Sequence, residues 1–380
     1  MKKILLFIFC FSGFVSFGQI VIPMPGYITE PTERNPIQFY LAPSEQRNYG
    51  YDPYHPYTTQ VPLPRDPNNR FTTSRPFALD PLVNLKEYDK AIALNPRDTA
   101  AYFNRAIERF KLNDYPRAVD DFNKVIEIDP SLPEAYFGLG FTKMAGEDFK
   151  GAVTAFDKAI AINAKFTEAY FYRGNTKLAL EDYQGAIEDY NKLIALISPN
   201  AFIYNRRGFA RSGMKDYQGA ISDYNKAIEL NSKLAEAYYN RGNTKMDMED
   251  YTGAVTDYNE LTRINPKFIE GYYNRAVAKD KLQDHKGAIA DYSKVIKNSP
   301  DDAAAFYNRA VVYISLKEYK KAVEDFDKAI SIDSNNAGAF YGRGMAKIAL
   351  DQKENACADL NKSATLGNLQ AKEQAKKYCN

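Results

Sequence analysis

Apolar and polar positions of the chain alternate in a pattern that predicts pairs of short helices. Tyr238, Gly242 and Met246 are four residues apart and line one face of a first helix. Asp250 follows at a position suited to a helix N-cap. The next apolar set has the i, i+3, i+4, i+7 spacing of a second helix: Tyr251, Ala254, Val255, Tyr258 and Leu261. Pro266 ends this unit.

The same pattern recurs every 34 residues over most of the chain. The first helix of each unit carries an aromatic residue, at Tyr102, Tyr136, Tyr170, Tyr204, Tyr238, Tyr272, Phe306 and Phe340. The second helix carries an alanine, at Ala118, Ala152, Ala186, Ala220, Ala254, Ala288, Ala322 and Ala356. Units this short must stack to bury their apolar faces. The period predicts an all-α solenoid of eight helix-turn-helix repeats at residues 99–366, forming one elongated body.

These units resemble the tetratricopeptide repeat, a 34-residue helix-turn-helix with conserved aromatic, small, Ala and Pro positions. The fifth unit matches at Tyr238, Gly242, Tyr251, Ala254, Tyr258 and Pro266, and it has Leu261 where the family has Ala. Tyr or Phe replaces the family's Trp, because the chain contains no Trp. The resemblance implies a right-handed α-α superhelix whose first helices line a concave groove.

Residues 1–18 have the features of a secretory signal peptide. Two lysines precede an uncharged apolar run, and the small residues Ser16 and Gly18 stand where a signal peptidase cleaves. We therefore expect an exported bacterial protein that is periplasmic or outer-membrane-associated, or secreted. The rest of the chain has no apolar run near the ~18–20 residues that a spanning helix needs, which predicts no transmembrane span in the mature chain.

The segments that flank the repeats differ from them in composition. Residues 19–79 are rich in Pro and Tyr, which predicts an extended or disordered segment, because proline disfavours helix interiors and central strands. This segment is interpreted as a spacer, with docking of its tyrosines on the protein's own groove or on a partner as the alternative. Residues 80–98 repeat the second-helix pattern and predict an N-terminal half-repeat cap, and residues 367–380 predict a C-terminal capping helix.

Charge and histidine content exclude two classes of function. The chain has 50 basic and 48 acidic residues, and signal cleavage would remove Lys2 and Lys3, so the mature protein lacks the basic excess of a nucleic-acid-binding protein. The two histidines are His55, in the Pro/Tyr segment, and His285, at a position where other units have Tyr. We found no arrangement of a nucleophile, metal site or cofactor pocket, so we expect neither an enzyme nor a bound cofactor.

Cys357 and Cys379 lie at equivalent distances on either side of a turn at Gly367 and Asn368. A helical hairpin would bring the two sulfurs together, which predicts a disulfide in an exported protein. The alternative is a pair of buried thiols. Two cysteines without nearby ligands do not complete a metal site.

Seven units carry an Arg in the first helix and an Asp sixteen residues later. These are Arg105/Asp121, Arg173/Asp189, Arg207/Asp223, Arg241/Asp257, Arg275/Asp291, Arg309/Asp325 and Arg343/Asp359. The second unit lacks both, with Leu139 and Ala155 in their places. The absence of both residues from the same unit predicts an ion pair inside each of the other repeats. Removal of one member alone would leave the charge of the other without a partner.

In the family that these repeats resemble, the fifth position of each unit points into the groove. The fifth positions, with the asparagines next to them or at the ninth position, give the candidate partner-binding residues Phe103, Asn104, Phe137, Phe171, Asn175, Asn205, Tyr239, Asn240, Asn243, Tyr273, Asn274, Tyr307, Asn308 and Tyr341. Aromatic rings and amides suit an extended peptide, because the amides can bond its main chain. The alternative is that the rings only shield helix junctions.

The sequence thus predicts a protein-protein interaction scaffold of the bacterial cell envelope that binds an extended peptide or partner protein in its groove. The alternative is an envelope polysaccharide-binding or export accessory protein that uses the same aromatic residues. The polysaccharide alternative is weaker, because glycan sites place carboxylates around each ring and the groove positions contain few acids.

Overall fold

A computed structural model describes residues 81–379, and every regular element among them is an α-helix. The predictions for residues 1–18 and 19–79 lie outside the described residues. The described chain divides into two compact units, with the boundary between Leu234 and Ala235. The sequence had predicted one elongated body instead of two units. The 34-residue period of the sequence continues unchanged across residues 234 and 235, so the repeat pattern contains no signal for the division.

The 18 described helices are arranged as pairs, which confirms the predicted all-α repeat fold. The first unit contains α1 (Pro81–Leu94), α2 (Thr99–Lys111), α3 (Tyr115–Ile128), α4 (Pro133–Ala145), α5 (Phe149–Ile162), α6 (Thr167–Ala179), α7 (Tyr183–Leu196), α8 (Ala201–Gly213) and α9 (Tyr217–Leu230). The second contains α10 (Ala235–Asp247), α11 (Tyr251–Ile264), α12 (Ile269–Lys281), α13 (His285–Asn298), α14 (Ala303–Ser315), α15 (Tyr319–Ile332), α16 (Ala337–Ala349), α17 (Lys353–Thr365) and α18 (Leu369–Tyr378). Within each unit, successive helices pack against one another.

The turn inside each repeat has a left-handed residue that is not glycine. In the sixth repeat Gln283 has φ 63°, and the Asp284 N–H donates to the Lys279 carbonyl at 2.9 Å. This arrangement satisfies a carbonyl at the end of α12, as in a Schellman motif. The equivalent positions have φ of 59–65° and are Asn113, Glu147, Glu181, Lys215, Glu249, Lys317 and Asp351.

In most repeats the second helix begins at an aspartate cap. The Asp250 carboxylate accepts a hydrogen bond from the Gly253 N–H at 2.9 Å, as the sequence predicted. Asp148, Asp182, Asp216 and Asp284 cap their helices in the same way.

Small residues bring the two helices of a repeat together. A Cβ added at Gly242 would lie 2.7 Å from the Tyr258 ring, and Ala254 is fully buried on the facing helix. The alanine of every repeat is buried to the same extent. The core of each repeat therefore combines small alanines with large rings.

The last helix is attached as predicted. Gly367, with φ 96°, ends the turn after α17, and Asn368 caps α18 through the Ala371 N–H. Cys357 and Cys379 form a disulfide with their Cα atoms 5.6 Å apart.

Candidate functional site

The rings at the fifth positions differ in how much of their surface is accessible. Phe137 and Tyr239 are only 3% and 5% exposed. The half-buried rings are Phe103, Phe171, Tyr273, Tyr307 and Tyr341. Phe137 and Tyr239 therefore fit the alternative interpretation, in which the rings only shield helix junctions. These two rings have little surface for a ligand.

In the second, third, fifth, sixth and seventh repeats this difference follows the type of residue just before the next repeat. Phe166 lies 5.1 Å from Phe137, and Phe268 lies 5.0 Å from Tyr239, between ring centroids. After the half-buried Phe171, Tyr273 and Tyr307, the corresponding residues are the helix caps Asn200, Asp302 and Asn336. A polar cap does not cover the ring as a second aromatic side chain does, so part of the ring remains exposed.

Two of the half-buried rings are held firmly by a second ring. Tyr273 packs edge-on against Tyr292 at 5.6 Å, and Tyr307 packs in the same way against Phe326 at 5.8 Å. The partner ring in each case is a core residue of the second helix of the same repeat. The exposed part of the ring is therefore preorganised for contact with a ligand.

Several candidate amides bind tyrosines inside the protein, whereas the sequence predicted that they bind a peptide main chain. Asn308 Nδ2 donates to the Tyr273 hydroxyl oxygen at 2.6 Å, and Asn274 Nδ2 lies 3.4 Å from that of Tyr239. These bonds join neighbouring repeats. The asparagines thus position the rings first, and the amide of Asn308 has one further N–H and a carbonyl for other contacts.

The ninth-position asparagines serve the core in a similar way. The Tyr258 hydroxyl donates to Asn243 Oδ1 at 2.6 Å, and Asn274 Nδ2 donates to the same oxygen at 3.0 Å. In the third repeat the Tyr190 hydroxyl donates to Asn175 Oδ1 at 2.7 Å. Asn205 is 1% exposed in α8. Asn175 and Asn243 therefore hold the hydroxyl groups of core tyrosines in place.

Acidic groups lie closer to the rings of the fifth repeat than the sequence reading assumed. Burial raises the pKa of the Asp247 carboxyl to about 6, and Asp247 Oδ2 is buried without a hydrogen-bond partner among the described residues. Burial also raises the pKa of Tyr239 to about 12, and the charge of Glu270 acts in the same direction. Glu270 thus places negative charge near Tyr239, while the groove positions themselves are aromatic residues and asparagines.

We expect Asp247→Asn to remove a pH-dependent loss of stability. Because the folded pKa of this carboxyl is raised, the penalty for its charge is present above about pH 6 and is relieved as the pH falls toward the unfolded value near 4. Because the Asp247 carboxyl is partly exposed, we expect the variant to gain about 1 kcal/mol in its free energy of unfolding at neutral pH. Urea unfolding at pH 7 and pH 4.5 measures it, with the exposed Asp301→Asn as control. Equal stabilisation by both variants would contradict the assignment.

The predicted ion pair is present in all seven repeats that contain both residues. In the sixth repeat Arg275 donates to both carboxylate oxygens of Asp291, at 2.9 and 2.6 Å. The other six pairs, Arg105/Asp121, Arg173/Asp189, Arg207/Asp223, Arg241/Asp257, Arg309/Asp325 and Arg343/Asp359, make the same contact. The prediction is confirmed.

The sequence reading missed two further partners of this pair. A second cation, four residues after the Arg, binds the same carboxylate, as Lys279 Nζ binds Asp291 at 2.8 Å. The equivalent cations are Arg109, Lys177, Arg211, Lys245 and Lys347. Arg275 also donates to Asn259 of the preceding repeat at 2.8 Å, so the pair also links repeats. The four-residue spacing of the cations was visible, but each one alone resembled an ordinary surface lysine.

Comparison with protein-family models gives matches in the first seven repeats, between residues 99 and 336. Models described as "Tetratricopeptide repeat" match residues 99–132, 137–201, 269–302 and 303–336, and one described as "TPR repeat" matches residues 213–248 and 242–283. Together these matches span more than half of the 380 residues.

Solved structures of repeat proteins have a similar fold. The C-terminal part of a TPR repeat-containing protein from Cytophaga hutchinsonii is 21% identical, with 63% of this chain and 98% of that chain covered and a TM-score of 0.54. A tetratricopeptide repeat protein from Parabacteroides merdae is 20% identical, with coverages of 65% and 99% and a TM-score of 0.48. YrrB, described as a TPR protein with an unusual peptide-binding site, is 21% identical, with coverages of 50% and 97% and a TM-score of 0.42. A comparison with curated proteins gives no match.

Proposed function

We propose, on the premise that the chain belongs to the tetratricopeptide repeat family of protein-interaction scaffolds, that it binds an extended peptide of a partner protein along its first helices. The family is typically non-catalytic, and we propose no reaction for this chain. The single observation that carries the proposal is the pair of anchored, half-buried rings at Tyr273 and Tyr307.

These rings meet the requirements of a peptide site. The sixth and seventh repeats place Tyr273 and Tyr307 at the same position, and an extended peptide presents side chains at regular intervals along its length. Aromatic side chains provide much of the binding energy in such interfaces, because they bury a large area at a small cost in side-chain entropy. The two tyrosine rings here have already lost that freedom through packing against the core.

Two acids of the fifth and sixth repeats favour a partner segment with basic residues. Besides burial, the charge of Glu270 raises the pKa of Tyr239, and the charge of Asp247 raises the pKa of Tyr258. Complementary charge would increase the association rate and favour such partners over acidic ones. Polysaccharide binding by the same rings is the second candidate, and the carboxylate of Glu270 near Tyr239 is the observation that favours it.

We also propose that the protein acts at the cell envelope. The support is the signal-like segment at residues 1–18, which lies outside the described structure. No helix among residues 81–379 is long and apolar enough to cross a membrane. N-terminal sequencing of the protein from fractionated cells would test the proposal, which predicts a chain that begins after Gly18 in the envelope fraction.

The peptide proposal predicts that Tyr273→Ala with Tyr307→Ala weakens peptide binding at least tenfold, a loss of about 1.4 kcal/mol or more. Peptides would be selected from a random displayed library on the full chain, and their affinities measured by fluorescence anisotropy. The control is Tyr251→Ala, which removes a half-buried tyrosine from the start of a second helix. Unchanged affinity in the double variant, or an equal loss in the control, would overturn the assignment. Recovery of envelope glycans without any selected peptide would favour the second candidate.

A further inference from the structure

The second repeat contains a cavity that is open to solvent, at the place where each of the other seven repeats contains an ion pair. Leu139 and Ala155 replace the arginine and aspartate, and both are buried in a cluster with Phe122. The cavity has a volume of about 320 Å³ and is lined by Tyr136, Leu139, Lys143, Thr154, Ala155 and Lys158. The substitution has therefore exchanged a guanidinium and a carboxylate for an apolar floor and open space.

The second cation of the missing network remains in place. Lys143 stands at the position from which Lys279 binds Asp291 in the sixth repeat. Its ammonium group forms an ion pair with the half-exposed Asp148, at 3.0 Å. Lys158 is exposed and lines the same cavity. An ammonium group has three donors, so Lys143 can bind a further anion.

The ring of Tyr136 is also uncovered. In the other seven repeats an arginine lies over the corresponding ring, 5.2–5.8 Å from its centroid. No cation covers Tyr136 among the described residues, since Leu139 occupies that position. The cavity thus offers an aromatic wall and an apolar floor beneath two lysines.

We propose that this cavity binds a small organic carboxylate with an apolar body, such as an aryl-alkyl acid. The carboxylate would take the place of the absent aspartate next to Lys143, and the apolar part would lie against Leu139, Ala155 and the Tyr136 ring. The volume suits a ligand of this size, because it lies at the lower end of the range for small-molecule sites. This site lies outside the proposed peptide-binding residues and is independent of the proposed function.

The test measures binding of 4-phenylbutyrate to the full chain by ligand-observed saturation-transfer NMR, with 4-phenylbutanamide as the uncharged analogue. A ligand of this size is expected to bind with Kd of about 1 mM, and the acid at least tenfold more tightly than the amide. Lys143→Gln is expected to remove the preference for the acid. Equal binding of acid and amide to the natural chain, or no binding at concentrations on the order of 10 mM, would overturn the proposal.

The chain itself provides the matched control. The double variant Leu139→Arg with Ala155→Asp restores the residues that the other seven repeats have, so it should fold and fill the cavity. We expect it to lose binding of 4-phenylbutyrate at least tenfold while its circular dichroism and thermal midpoint are retained. Binding as tight as that of the natural chain would place the ligand elsewhere and overturn the proposal.

Discussion

Replacing Asp291 by Ala is expected to lower the free energy of unfolding by about 3–5 kcal/mol. The side chains of Arg275 and Lys279 are only 14% and 19% exposed, and both lose their shared carboxylate. Two neighbouring cations would then remain at low exposure without an anion between them. Urea unfolding followed by circular dichroism measures the loss, and it is analysed repeat by repeat because arrays need not unfold in one step.

The double variant Arg275→Leu with Asp291→Ala is the control that isolates the ion pair. It copies the second repeat, in which Leu139 and Ala155 accompany a retained lysine. We expect this double variant to be more stable than Asp291→Ala alone by at least about 2 kcal/mol, since no guanidinium is left without its partner. Additive losses would show that the two residues act separately, contrary to the contact at 2.6 Å.

Reduction of the disulfide is expected to destabilise the last helix by about 3 kcal/mol. Cys357 and Cys379 are 22 residues apart in sequence, and the bond limits the freedom of the segment between them when α18 detaches. The helix has ten residues and buries mainly Ala371 and Ala375, so its other contacts are few. Amide hydrogen exchange in α18 should accelerate by roughly a hundredfold in reductant.

The double variant Cys357→Ala with Cys379→Ala is the control for reduction. It should show the fast exchange with and without reductant, while α15 and α16 keep their protection. If α18 of the natural chain exchanged equally slowly after reduction, its stability would come from packing alone, and the role assigned to the bond would be wrong.

The features that repeat along the chain could be predicted from the sequence. The spacing of Ala254 and Tyr258 predicted the packed helix pair, and the joint absence of an arginine and an aspartate at Leu139 and Ala155 predicted the ion pairs. Both inferences used differences and regularities among eight units, which a single unit would not have shown. The cysteine positions could be interpreted because the helix lengths on either side of Gly367 were already fixed by the repeat.

Features that depend on neighbouring repeats could not be predicted. Tyr239 and Tyr273 occupy the same position in their repeats, yet Tyr239 is buried and Tyr273 is half-buried. Phe268 covers the ring of Tyr239, whereas the corresponding residue after Tyr273 is the polar helix cap Asp302. The turn residue with a left-handed backbone, which is Gln283 in the sixth repeat, is not glycine in any of the repeats. The positions of glycines therefore provided no signal for it. The pairing of amides with tyrosines likewise required the side-chain positions of two adjacent repeats.

Site-specific photo-crosslinking tests the central claim most directly, namely that the rings of the first helices bind a partner peptide. A benzophenone side chain would replace Tyr307 in one sample and the exposed Glu324, on a second helix, in the other. Each protein would be irradiated with a peptide selected on the natural chain, and the products identified by mass spectrometry. The account predicts crosslinking from position 307 and none from position 324. Crosslinking only from position 324, or equally from both, would contradict it.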